Sequence, residues 1–243
     1  MRYWLNTELD PEQFAREAQP ICQLYRDAPA LHAAGVYLCC TDEKSGIQAL
    51  EHQYPLKPMR PGAIDRIEFE YVRHGTQCLI ANFLVATGEV IAPTVGDTRT
   101  EADFLAHIQQ TVATAPDAGW IFITDRLDIH LSASLVAWVA ATLGDPQPLG
   151  KKYRDGILKS RQTRRAYLAD ATHRIRFAYV PKHASWLNQV ELWFSILVRR
   201  LLKRGSFSSV HDLRQRILRF IEYFNRALAK PFKWTYTGQV LAA

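Results

Sequence analysis

At 243 residues with 48% of them apolar, the chain can bury a full core and suits one domain with appendages better than two equal ones. No apolar run reaches the ~18 residues of a membrane span, and the opening MRYWLNTELDPEQF lacks the apolar segment of a secretory signal. Membrane partners are therefore set aside and a cytoplasmic location is expected. The net charge of +6 is unevenly placed: residues 1–150 hold 10 Lys and Arg against 19 Asp and Glu, a balance of −9, whereas residues 151–243 hold 20 against 5, a balance of +15. An excess of that size, interleaved with Tyr and Trp, suits a polyanion such as nucleic acid.

In chain order, DPEQFAREAQPICQLYRD (10–27) spaces Phe14, Ala18, Ile21, Cys22 and Tyr25 as one face of a helix, predicted to be split or ended near Pro20 and read as an arm, residues 1–30, preceding a core domain of residues 31–243. VYLCCTD (36–42) is an apolar run closed by an acid, as in a strand buried on both faces, and Glu43-Lys44-Ser45-Gly46 is predicted to be a turn. Cys22, Cys39, Cys40 and Cys78 show no metal-binding spacing and read as buried thiols.

Residues 67–95 are β-rich and punctuated at His74-Gly75 and Thr87-Gly88, so two or three antiparallel strands with tight turns are predicted. Thr98 or Thr100 is placed to cap a helix through about Ala115. WIFITD (120–125) repeats the earlier pattern of an apolar strand ending in Asp. Ser132 or Ser134 then opens a helix that Gly144 and Pro146 stop. The basic segment 144–175 reads as a partly helical insertion, and RFAYVP (176–181) as a last strand. One long helix is predicted from Ser185 to about Lys203, ended by Gly205, and another over about 210–229. The order implies an α/β domain, a mixed sheet with helices on both faces in which the first strand and WIFITD lie parallel and adjacent.

Two strands thus deliver Asp42 and Asp125 at their carboxyl ends, the edge where open α/β sheets bind ligands. On the helix from Ser185, Leu187, Val190, Phe194, Leu197 and Leu201 form an apolar stripe, with Glu191 on or beside it. A carboxylate there needs a partner, either a metal ion shared with the aspartates or an arginine. Three hard oxygen ligands suit Mg²⁺ or Mn²⁺. Two such ions about 4 Å apart activate an attacking hydroxyl and stabilise a leaving oxygen in phosphoryl transfer.

TDEKSGIQALE (41–51), EYVRHGTQCLIANF (70–83), ITDRLDIH (123–130) and PKHASWLNQVELWFSIL (181–197), with RRLLKRGSFSSVHDL and FIEYFNRALAKPFKWTY after them, resemble the DDE transposases of bacterial insertion sequences in the mariner-related superfamily. The resemblance runs from about Phe14 to the end. It implies a ribonuclease-H-like fold, two divalent ions (Mg²⁺ or Mn²⁺) on the catalytic acids Asp42, Asp125 and Glu191, and cleavage of transposon ends followed by strand transfer into target DNA, performed by a homodimer on DNA. Two departures stand out: Arg126 and Asp128 replace the amide and Asn usual after the second acid, and 66 positions separate Asp125 from Glu191, a long interval filled by the basic insertion. Helix-turn-helix recognition domains usual in the family are not evident before Asp42, which suggests a separately encoded recognition protein or domain, or a remnant.

Around the acids, His130 is placed to position phosphate or a helix start, or to be a hydrogen-bonded structural histidine. Asn188 shares a face with Glu191 and is placed either to orient its carboxylate or a metal-bound water, or to cap the helix. Lys151, Lys152, Arg154, Lys159, Arg161, Arg164, Arg165, Lys182, Arg199, Arg200, Lys203 and Arg204 are the expected phosphate contacts. Trp186 and Trp193 are expected in the core. Beside strand transfer, two further readings remain open: a nuclease of the same fold that does not transfer strands, and a non-catalytic DNA-binding remnant.

Overall fold

A computed structural model describes residues 10–54, 60–62 and 70–239; expectations falling on 1–9 and 67–69 lie outside them. Five strands form one sheet in the order β3-β2-β1-β4-β5. β1 (Val36–His52) pairs antiparallel with β2 (Tyr71–Leu84), which pairs antiparallel with β3 (Val90–Gly96). On its other side β1 runs parallel to β4 (Gly119–Thr124), and β4 parallel to β5 (Ile175–Tyr179). Three antiparallel strands continued by two parallel ones, with helices on both faces, is the ribonuclease-H-like arrangement.

The period-two alternation of strand side chains divides the core. Leu38, Cys40, Leu79, Ala81, Phe83, Ile121 and Ile123 face one cluster with α1 (Pro11–Ala33), α5 (Gln189–Leu197) and α6 (Val210–Ala227). Cys39, Ile80, Leu84, Trp120 and Phe122 face the other, with α2 (Glu101–Ala113), α3 (Ala133–Leu143) and α4 (Arg161–Leu168). Where β1 and β4 pair, from Val36 to Cys40 and from Gly119 to Ile123, both strands are therefore without charged residues, because each face meets a helical layer. The four cysteines are free and buried. Among the described residues no helix is long and apolar enough to cross a membrane.

Capping follows the sequence closely. Thr100 accepts from the Asp103 N–H while the Asp103 carboxylate accepts from the Thr100 N–H, a reciprocal cap at the start of α2. Ser132 caps α3, and Gly144, at φ 66°, ends it in the left-handed conformation that glycine adopts without strain. The basic insertion yields α4, which buries Arg164, Tyr167 and Leu168.

Five local expectations are corrected. α1 runs unbroken through Pro20 and Pro29: both prolines lie on its exposed side, while Phe14, Ala18, Ile21, Cys22, Tyr25 and Ala28 are buried against the sheet, so packing overrides local propensity. Glu43 to Gly46 is no turn; β1 continues to His52 with a shift of register between Lys44 and Ile47, absorbed where Gly46 takes φ 66°. His74-Gly75 is likewise inside β2. The long helix from Ser185 is interrupted: a 3-10 turn (Ser185–Leu187) ends at extended Asn188 (φ −78°, ψ 110°), α5 starts afresh, and a π-helical turn (Val198–Leu202) follows it. Trp193 is fully buried, but Trp186 is exposed and meets Tyr236 edge-on at 5.1 Å.

Candidate active site

The parallel pair β1 and β4 carries its acids to one edge of the sheet. Asp42 stands two positions beyond Cys40, which pairs with Ile123, and Asp125 directly follows β4. Asp42 is only 7% exposed. Its Oδ1 accepts from the Glu43 N–H at 2.8 Å and its Oδ2 from Asn188 Nδ2 at 3.3 Å. Burial, then the negative charges of Asp125 and Glu43, push its carboxyl up to about 7. An acid raised by its neighbours' charge is one that a cation would return to the ionised state.

Asp125 is held differently. Its Oδ1 accepts from the Leu127 N–H at 2.9 Å and from His130 Nδ1 at 2.8 Å. Burial opposes ionisation of Asp125, but the His130 hydrogen bond and charge, the Leu127 N–H and the charge of Arg99 outweigh it, so the carboxyl lies below the ordinary range.

Glu191 is half-buried in the first turn of α5, three positions after Asn188, where the helix dipole favours a carboxylate. Burial pushes its carboxyl up, Lys44 draws it down, and the charge of Asp125 raises it again. The charge of Asp125 thus bears on both Asp42 and Glu191. Among the described residues no arginine pairs with Glu191, so the salt-bridge alternative for this carboxylate is not the one adopted.

Asn188 occupies the N-cap position of α5, and its side chain turns to β1. Its side chain makes no cap hydrogen bond; it donates to the Thr41 carbonyl at 3.0 Å and to Asp42. His130 is fully buried, bridging Asp125 and, through Nε2 at 2.9 Å, Glu43 Oε1. Burial works against its protonation, but hydrogen bonds and charges from the two carboxylates lift it to about 10. Sequence reasoning missed Glu43, which the DEKSG string disguises as a turn residue; the buried alternation of β1 past Asp42 was the available signal.

Arg126 and Asp128, the departures after Asp125, are both paired. Arg126 bonds Glu17 of α1, and Asp128 bonds Arg161 of α4 at 2.9 Å, while Arg161 also donates to the Arg126 carbonyl at 2.6 Å. The loop carrying the second acid is strapped to helices on both faces of the sheet.

The expected phosphate contacts divide. Lys151, Lys152, Arg154, Lys159, Arg161, Lys182, Arg199, Arg200, Lys203 and Arg204 are exposed and Arg165 is half-buried. Arg164 is corrected: it is 4% exposed and spends its guanidinium on the carbonyls of Leu131 at 2.6 Å and Leu158 at 3.0 Å. Arg126, Arg161 and Arg165 line a hollow of about 320 Å³ beside the Asp125 loop. A larger one of about 620 Å³, bounded by Arg199, Arg200 and Lys230, contains none of the acids.

The donor set suits Mg²⁺ or Mn²⁺: three carboxylates, hard oxygen ligands whose mutual repulsion a divalent ion relieves. Buried oxygens without a hydrogen-bond partner, Asn188 Oδ1 and Glu43 Oε2, flank them. Among the described residues no three His, Cys, Asp or Glu side chains are drawn together as a metal-binding group.

A ribonuclease-H-like sheet with acids beyond its two central parallel strands and a third on a following helix defines a class of phosphodiester-processing enzymes. The chain belongs to the DDE superfamily endonucleases, whose family model matches residues 37–214. Three solved structures share its fold, each with a TM-score of 0.52: a Mos1 mariner paired-end complex with Mn (14% identity), a Mos1 transposase paired-end complex with left transposon end (13%) and a pre-cleavage Mos1 transpososome (14%). Each comparison covers 91% of this chain and 58% of the other, so the chain spans little more than half the length of those relatives. No curated protein sequence matches it.

Proposed function

We propose that this chain is the catalytic unit of a DNA transposase, cutting phosphodiesters at transposon ends and joining the freed 3′ end to target DNA. The observation that favours the reading is that Asp42 and Asp125 stand just past the parallel pairing of β1 and β4, and that the charge of Asp125 acts on both Asp42 and Glu191. Two Mg²⁺ or Mn²⁺ ions bound there would supply an activated hydroxyl and stabilise the leaving oxygen.

The chain's own residues do the rest. Asp42 is aimed by Asn188 and the Glu43 N–H, and Asp125 by His130 and the Leu127 N–H. Each then keeps one oxygen less committed than the other, the arrangement a ligand carboxylate needs. Glu191 enters from α5, with Lys44 tempering its charge. Exposed cations of the insertion and of the turn after α5 would track the DNA backbone. The Mos1 relatives are paired-end complexes of a transposase with transposon ends, which supports DNA as substrate and a homodimer holding two ends. A separately encoded helix-turn-helix partner would read their sequence. A cytoplasmic protein, associated with the nucleoid through DNA, fits these roles.

Incubation with Mn²⁺, pre-nicked transposon-end DNA and a supercoiled target tests the reading. Joined products are expected, and Asp42→Asn or Glu191→Gln should abolish them while DNA binding persists. Cleavage without joining would reduce the reading to a nuclease, and intact DNA bound in a salt-sensitive way to a binding remnant. Retained joining in either variant would overturn the three-acid site.

A further inference from the structure

We infer that His130, anchored on Glu43, is the positioning residue that sets where Asp125 stands relative to Asp42, so that cation binding by the acids depends on a two-ended imidazole bridge between β1 and the loop after β4. The inference rests on the three-acid reading and deepens it.

The geometry carries the argument. Glu43 belongs to β1 and follows Asp42 directly; His130 belongs to the 3-10 turn Asp128–Leu131 that follows Asp125. The His130 side chain is 0% exposed and that of Glu43 1% exposed, and the ring spans them with contacts of 2.9 Å to Glu43 Oε1 and 2.8 Å to Asp125 Oδ1. One ring nitrogen thus faces each carboxyl group, so the imidazole joins the two side chains end to end. Phe104 of α2 lies against the ring at 4.3 Å, and the Tyr179 hydroxyl of β5 donates to the His130 carbonyl at 3.1 Å, so ring and backbone are both held.

β1 and β4 hydrogen-bond only as far as Cys40 and Ile123. Beyond those residues the backbone ladder no longer fixes the spacing of the two acids. The Glu43–His130–Asp125 bridge takes over where the ladder stops, clamping Oδ1 of Asp125. Outer partners of this kind typically change metal affinity 10- to 100-fold. A histidine that merely filled the core would sit in the same packing, but its removal would change thermal stability and leave cation affinity alone.

Mn²⁺ binding to the full chain without DNA, measured by calorimetry and by the electron paramagnetic resonance of the bound ion, separates the two. The variants are Asp125→Asn, His130→Gln, Glu43→Met and the Glu43→Met/His130→Gln double, with thermal unfolding followed in parallel. His130→Gln and Glu43→Met should each weaken Mn²⁺ by about 10-fold. The double variant should be no weaker than the worse single one, since the groups act as a unit. Should His130→Gln fail to fold, Glu43→Met, close in size and without an oxygen to accept from His130 Nε2, carries the test. Loss of affinity in Asp125→Asn with none in the bridge variants overturns the bridge and leaves the acid site standing. No loss in any variant overturns both.

Discussion

Asn188 Nδ2 reaches from the break before α5 to the Thr41 carbonyl at 3.0 Å and to Asp42 Oδ2 at 3.3 Å, so the residue that interrupts a helix also aims the first acid. The interruption and the site have one cause. An extended Asn188 turns its side chain toward β1 and places Glu191 in the first turn of a new helix, near Asp125 in charge if not in sequence.

Asn188→Ala leaves the buried Thr41 carbonyl without its side-chain donor and frees Asp42 to rotate. A loss of about 1–3 kcal/mol in denaturant unfolding is expected, together with weaker Mn²⁺ binding. Asn188→Asp, which adds a negative charge beside Asp42, should weaken the fold further than Asn188→Ala does.

Asp42 gives the protein a pH dependence with a definite sign. Its carboxyl ionises at about 7 in the fold and near 4 in the unfolded chain. The folded state therefore holds a proton that the unfolded state has released, and the Asp42 contribution to stability falls as pH rises from about 4 to about 7. Asp42→Asn should remove that slope and be the more stable protein at pH 8 without metal, by an amount on the order of a few kcal/mol. Added Mn²⁺ should raise the melting temperature of the wild type at pH 8 and leave that of Asp42→Asn nearly unmoved. Thermal unfolding across this range, with and without Mn²⁺, checks both statements.

The pair Arg126–Glu17 joins the Asp125 loop to α1, with the two side chains 24% and 22% exposed. A double-mutant cycle with Arg126→Gln and Glu17→Gln should return a coupling of about 1 kcal/mol, above that of a fully exposed pair. Strand joining should fall in both single variants, because the loop loses one of its two straps. The cycle is read by urea unfolding and the joining by product yield.

Arginines of the insertion should separate by burial. Arg164→Ala leaves two buried carbonyls, those of Leu131 and Leu158, short of donors and should cost about 2–4 kcal/mol of stability. Lys152→Ala and Arg200→Ala change exposed side chains and should leave the melting temperature in place. Each of those two should instead lower the salt slope of DNA binding by about 1. Differential scanning calorimetry and salt-titrated binding distinguish the groups.

Much of the fold was legible without coordinates because its signals are local. Apolar runs ending in Asp42 and Asp125 announced buried strands, Thr100 and Ser132 announced caps, and Gly144 announced a left-handed stop. The three acids proposed for the site could be named because their spacing relative to those elements is a property of the chain alone, strengthened by the family resemblance.

What stayed hidden depended on partners distant in sequence. Pro20 and Pro29 read as breaks, yet α1 passes through them because the sheet rewards its apolar face more than the missing hydrogen bonds cost. Glu43 and Gly75 read as turn residues, yet strand pairing carries β1 and β2 past both. Arg164 could not be told from its surface neighbours, since only packing decides which cation of a basic run turns inward. Periodicity and capping act between neighbours a few residues apart and are written in the chain. The bridge from Glu43 through His130 to Asp125 spans 87 positions at its longer contact and exists only once β1 and β4 lie side by side.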